Sequence, residues 1–265
     1  MTHSRNSQYV HFTRAIVRPP ASTFADGITS SNLGPPDLAR ALEQHEAYRR
    51  VLERLGLSLV KLPPDPAFPD STFVEDAAVV TARGAILTRP GAPSRAGEVT
   101  ALGAALDRWF PELDRIDPPG TVDGGDVCEA GDHFFIGVSH RTNEKGAAQL
   151  AAWLAARGFG SSVIDIRKVP GILHLKTSLS WLGGRRLIAW REIGEHEAFR
   201  GWDVMEVPEG EEYAANCILV NGSFLVASGF PRTAVLLRGK GTIIELEMSE
   251  YRKMDGGLSC LSVRW

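Results

Sequence analysis

The feature that most constrains this chain is a recurrence: short apolar runs come in pairs, each joined through a Gly or Asn-Gly turn. Residues 75–80 pair with 85–88 across Gly84, and 126–129 with 133–137 across Gly131; 175–182 pair with 187–190 across Gly183 and Gly184, and 216–220 with 224–227 across Gly222. Apolar run, turn and second apolar run is the signature of a hairpin. Between them lie amphipathic or Ala/Leu-rich stretches that predict helices over 36–55, 94–109, 143–157, 195–200 and 233–238. A fifth hairpin is complete only if the last run, 258–265, pairs with the first, 15–18. That closure predicts an α/β architecture with pseudo-five-fold symmetry, a ring of hairpin-plus-helix units with no exposed end. Periodicity alone leaves a generic α+β sheet equally open.

The closing run puts Cys260 in an apolar strand entered through Gly256 and Gly257. An isolated cysteine is ordinarily a small core residue. Here it has company, because His174 and the acidic pair Glu75-Asp76 also sit in apolar surroundings where a charge needs a reason. In a ring, Glu75-Asp76, the turn 123–126, His174 and Cys260 all stand at or just before the first strand of a unit. Equivalent positions face one central channel, where converging polar groups make a pocket for a small ligand.

The 265 residues carry a net charge of -3 with no run of like charge, which gives no footprint for nucleic acid or an anionic membrane. No segment approaches the roughly 20 apolar residues of a membrane helix. Residues 1–8 are polar and read as a disordered extension ahead of a single domain spanning 9–265. Cys128, Cys217 and Cys260 lie far apart without CxxC spacing, which favours a reduced, cytoplasmic setting. Cys128 and Cys217 read as packed strand residues, and His133 and His140 as surface or hairpin residues. None has metal-ligand spacing, so no metal and no cofactor is expected.

Seven segments together carry a resemblance over nearly the whole chain: 68–76 (FPDSTFVED), 88–95 (TRPGAPSR), 120–126 (GTVDGGD), 141–143 (RTN), 173–177 (LHLKT), 214–217 (AANC) and Ser259-Cys260. In order and spacing they resemble the dimethylarginine dimethylaminohydrolase family. The resemblance implies a five-bladed α/β propeller and hydrolysis of Nω-methylated L-arginines to L-citrulline and methylamine or dimethylamine, through a covalent cysteine intermediate and without a cofactor. A homodimer is left open.

The chemistry fits the residues. A guanidinium carbon is a poor electrophile, and a soft thiolate suits its attack, so Cys260 is the expected nucleophile. His174 would protonate the departing amine and then activate water. By resemblance the acid that orients it is Asp123, with Asp126 in the same turn as a rival. Glu75 and Asp76 would hold the guanidinium, joined by Asp70, for which the α-ammonium is the alternative partner. Arg95 and Arg141 would fork the α-carboxylate. The carbonyls of Ile28 and Met254 would receive the α-ammonium, and Phe73 and Ser259 complete the binding set. The loop 26–31 reads as a mobile lid. Two other readings stay open: another guanidine enzyme on the same fold, such as a deiminase or amidinotransferase, or a noncatalytic propeller acting as a binding factor.

Overall fold

Residues 10–265 are described by the computed structural model; the extension 1–8 lies outside the described residues. Among them the strands form five three-stranded sheets of one design. In each, a first strand runs antiparallel to a middle strand, which runs parallel to a third. The tight link is the predicted hairpin. At Val220–Ser223 it is a two-residue turn in which Asn221 and Gly222 both take positive φ, 47° and 85°, the geometry that matches strand twist. The parallel link needs a crossover, and the amphipathic segments supply it.

Helix Leu38–Arg54 shows why these segments fold as they do. Asp37 caps it by accepting the Arg40 N–H at 3.1 Å, and Ala41, His45, Tyr48 and Leu52 recur at helical spacing on its buried face. Helix Glu144–Ala156 is capped likewise by Asn143 and buries Ala147, Leu150 and Leu154. The other crossovers are Glu98–Leu106, the short turns Arg191–Gly194 and Glu197–Phe199, and Pro231–Arg238.

The fifth sheet joins the two ends of the chain. Val263–Arg264 lies antiparallel to Arg14–Val17, with Ala15 opposite Arg264, and Arg14–Val17 runs parallel to Ser58–Lys61. The Tyr48 and Ser262 hydroxyls, 2.6 Å apart, fasten the first helix to this closing segment.

One part of the sequence reading needs correction. Residues 75–77, 126, 175–178, 216–217 and 258–262 are not strand. Each first strand begins later, after a short helical turn: Val74–Ala77, Gly124–Asp126, Leu175–Ser178, Glu212–Ala215 and Ser259–Leu261. Cys260 therefore stands on a helical turn, not in a strand. The consequence is directional, because three residues per turn send neighbouring side chains about 120° apart.

Candidate active site

The five turns are tied to one another in chain order. Gly125 N–H donates to Asp76 Oδ1 at 2.8 Å, and Leu175 N–H to Asp126 Oδ1 at 2.9 Å. Asn216 Nδ2 donates to the Lys176 carbonyl, while Ser259 N–H donates to Asn216 Oδ1 at 3.0 Å. Ser259 Oγ then donates to Glu75 Oε2 at 2.8 Å, which returns to the first turn. Each turn thus holds its functional side chain against the next.

His174 caps the third of these turns. Its Nε2 lies 3.0 Å from Oδ2 of the fully buried Asp123, whose Oδ1 accepts the Gly91 N–H at 2.8 Å. Asp126 makes no hydrogen bond to the ring; it holds the His174 turn through Leu175 and accepts a hydrogen bond from Ser139 Oγ at 2.6 Å. Burial works against a charged imidazole, but Asp76, Asp126 and Asp123 outweigh it and raise His174 to about 9. Burial likewise pushes Asp76 upward, yet His174 and Arg95 hold it down at about 2. His174 and Asp76 therefore both carry charge at neutral pH, and the ion pair of the imidazolium is with Asp123. Gly125 must be bare here, since a Cβ would stand 2.7 Å from His174 Nδ1 and 2.8 Å from Asp76 Oδ1.

Cys260 is half-buried and accepts the Gly257 N–H at 3.4 Å. Burial first, then Glu75 and Asp76, push its thiol up to about 12. At rest the site therefore pairs a neutral thiol with an imidazolium. Cys260 and His174 line the same two adjoining cavities. The smaller is walled by Ile28, Asp70, Phe73, Asp76, Arg95, Arg141 and Met254, and the larger, about 470 Å³, by Trp190, Tyr213 and Lys176 among others.

The charged walls of the smaller cavity differ in how far they are committed. Arg95 is buried and gives Nε and Nη2 to Glu98, Nη1 to Asp76 at 2.5 Å, and Nη2 also toward the carbonyls of Asp70 and Phe73. Only one N–H of Nη1 remains, so Arg95 cannot present the two-pronged fork expected of it. Arg141 has the opposite status: its Nη1 is buried without a partner. Asp70 accepts the Ile28 N–H at 3.1 Å, and burial raises its carboxyl. The loop segment above is latched, Ser30 donating to Asp255 Oδ2 through N–H at 2.6 Å and Oγ at 2.9 Å, and Thr29 Oγ1 to the Lys253 carbonyl.

Glu75 and Ser259 do not line this cavity. Glu75 turns the other way, to Lys176 Nζ at 2.6 Å and Arg264 Nη2 at 3.7 Å, and with Ser259 borders a separate cavity of about 120 Å³. Cys128 and Cys217 line that separate cavity, and His133 bonds the Ser162 hydroxyl. Donor atoms of Asp76, Asp123 and His174 lie within 4.8 Å of one another, a spacing a metal could use. The Arg95 guanidinium on Asp76 opposes a second cation there. Sequence reasoning missed Glu98, Lys176, Asn216 and Gly125; the last three lie inside or beside segments already singled out, and Glu98 stands three residues after Arg95.

The arginine deiminase family model matches residues 41–217. An N(G),N(G)-dimethylarginine dimethylaminohydrolase of Pseudomonas aeruginosa is 47% identical over 256 residues, covering 96% of this chain and 100% of that one. Among solved structures, DDAH from Pseudomonas aeruginosa, a cysteine-to-serine mutant complexed with citrulline, superposes with a TM-score of 0.93 at 46% identity, covering 97% of this chain and 100% of the other. A dimethylarginine dimethylaminohydrolase adduct with S-methyl-L-thiocitrulline, on a histidine-to-glycine variant, gives 0.92 at 46% identity, covering 96% of this chain and 100% of its own.

Proposed function

This chain belongs to the dimethylarginine dimethylaminohydrolase family, and from that premise we propose that it hydrolyses Nω-methylated L-arginines to L-citrulline and methylamine or dimethylamine, with Cys260, His174 and Asp123 as the catalytic residues. The observation that carries the reading is one cavity lined by a thiol, an imidazolium held by Asp123 at 3.0 Å, the carboxylate of Asp76 and the unpartnered guanidinium Nη1 of Arg141.

In this reading the substrate guanidinium lies against Asp76 and the α-carboxylate meets Arg141, with a single N–H from Arg95. The α-ammonium lies near Asp70 and the carbonyls of Ile28 and Met254, and Phe73 closes the wall. The bound cation offsets the negative field of Glu75 and Asp76, which lets the thiol lose its proton to solvent, since His174 already carries one. Thiolate attack forms the C–S bond. His174 Nδ1, the nitrogen not engaged by Asp123, gives its proton to the departing amine as the C–N bond breaks. The neutral imidazole then takes a proton from water, whose oxygen attacks the thiouronium carbon and expels the thiolate. Two structures of relatives support this course, a cysteine-to-serine mutant complexed with citrulline and a histidine-to-glycine variant in an adduct with S-methyl-L-thiocitrulline.

We take the five sheets as blades of a propeller in one catalytic domain over 9–265; the joined termini and the circuit of hydrogen-bonded turns support this. The partner is a small molecule. Among the described residues no helix is long and apolar enough to cross a membrane, and three free thiols suit a reducing cytoplasm. A homodimer remains compatible. The test is citrulline release from asymmetric dimethylarginine, monomethylarginine and arginine by the wild type and by Cys260→Ser. Methylated substrates should be preferred and the variant inactive; preference for arginine, or an active variant, overturns the assignment.

A further inference from the structure

The family pattern places Glu75 beside Asp76 on the guanidinium, but the helical turn that carries both sends them to different cavities. Glu75 is buried beneath the Cys260 turn. Its Oε2 accepts from Ser259 Oγ, the residue next to the nucleophile, and its Oε1 pairs with Lys176 Nζ at 2.6 Å. Lys176 in turn belongs to the helical turn that His174 caps, and it borders both the larger of the two catalytic cavities and the separate one. One ion pair therefore lies between the nucleophile and the far cavity, with an anion and a cation on turns that carry the catalytic groups.

We propose that Glu75 and Lys176 are positioning residues of opposite sign that anchor the Cys260 turn and govern how readily its thiol ionises, and that Glu75 is not a guanidinium ligand. This rests on the reading of Cys260 as the nucleophile. The other charged or titratable groups on the two cavities that the thiol lines are Asp70, Asp76, Arg95, Arg141, His174, Glu212, Tyr213, Arg252 and Asp255, and Arg264 Nη2 stands as a second cation 3.7 Å from Glu75 Oε1. Glu75 and Lys176 form a matched pair, and neither lines the smaller cavity assigned to the substrate, so each can be altered without removing a group that touches substrate. A negative neighbour opposes thiolate formation and a positive one favours it.

The experiment is site-resolved alkylation of Cys260 by iodoacetamide against pH in the free enzyme, read by peptide mass spectrometry, with steady-state kinetics on dimethylarginine alongside. Glu75→Gln keeps an acceptor for Ser259 and should move the alkylation midpoint down by about one unit, roughly a tenfold gain in thiolate. Lys176→Met should move it up by a similar amount, and the double variant should return close to wild type. KM for dimethylarginine in Glu75→Gln should stay within about threefold of wild type. An unmoved midpoint in both single variants, or a KM raised tenfold or more in Glu75→Gln, overturns the proposal and returns Glu75 to the substrate. If Glu75→Gln fails to fold, the direction of the Lys176→Met shift decides alone. Alkylation does not require turnover, so failure of the hydrolase reading would show separately, as absence of citrulline in the wild type.

Discussion

Replacing Asp123 by Asn tests the catalytic core with little change of shape. The Asp123 carboxylate has two fixed partners, the Gly91 N–H on Oδ1 at 2.8 Å and His174 Nε2 on Oδ2 at 3.0 Å. Asn can keep the first bond with its oxygen, which turns its NH2 toward the imidazole and forces Nε2 to accept instead of donate. In the neutral form the imidazole then keeps its proton on Nδ1, and the carboxylate bond that favoured the cation is gone. A hydrogen bond to a charged group contributes about 1.5–3 kcal/mol, equivalent to roughly one to two pKa units. His174 should fall from about 9 to roughly 7–8, since Asp76 and Asp126 still favour the charge. Loss of the orienting acid with geometry intact elsewhere costs on the order of 10⁴ in kcat. Citrulline release should therefore drop about 10³–10⁴-fold with KM changed less than about threefold, because Asp123 does not line the substrate cavity. NMR titration of the His174 ring checks the pKa. A variant that keeps wild-type kcat would refute the assignment of Asp123 as the orienting acid.

Arg141→Met should raise KM for dimethylarginine roughly ten- to a hundredfold with kcat nearly unchanged, the loss of one charge-assisted bond to the α-carboxylate; equal KM values for wild type and variant would remove Arg141 from the binding set. Gly125→Ala should reduce kcat by on the order of 10² without unfolding the protein, because the new Cβ meets both His174 Nδ1 and Asp76 Oδ1 below 3 Å; calorimetry alongside kinetics separates the two effects. The folded pKa of His174 lies above its ordinary 6.5, so its stabilisation is complete below about 6.5 and is lost as pH rises through about 9. Melting temperatures between those limits should fall more steeply in the wild type than in Asp123→Asn, and parallel slopes would contradict that origin.

The hairpins and crossover helices were legible because each buries one periodic face, as Ala41, His45, Tyr48 and Leu52 do. The third strands of the sheets were not. Asp114–Arg115 has two residues, and Ser58–Lys61 and Asp203–Glu206 each expose both ends, so neither hydrophobic alternation nor propensity marks them. The turns before the first strands escaped for a related reason: Val74–Ala77 is wholly buried and has no side-chain cap, and an apolar run that is buried all round has no readable period. That miss matters for the site, because only the turn separates Glu75 from Asp76. Spacing could not choose between Asp123 and Asp126 either. The choice depends on which carboxylate faces the ring and which the Leu175 N–H. Arg95 and Glu98, three apart at a helix start, look like an ordinary surface pair until both prove buried.

The electrostatics of the pocket and the charge of its ligand explain each other. Asp70, Asp76, Glu98, Asp123 and Asp126 are all buried, against the cations Arg95, Arg141 and His174, with Arg18 near Glu98. Such an excess of carboxyls is unfavourable until a cation binds: burial first, then Asp76 and Asp70, raise Glu98 to about 7, while burial alone raises Asp126 to about 6. A methylarginine brings two positive groups and one negative, a net cation that relieves this excess on binding. The same field that draws the cation in keeps Cys260 protonated in its absence, so the thiolate forms when the electrophile is already in place. A neutral analogue of the same shape, bound in the same cavity, would leave the thiol protonated and react slowly.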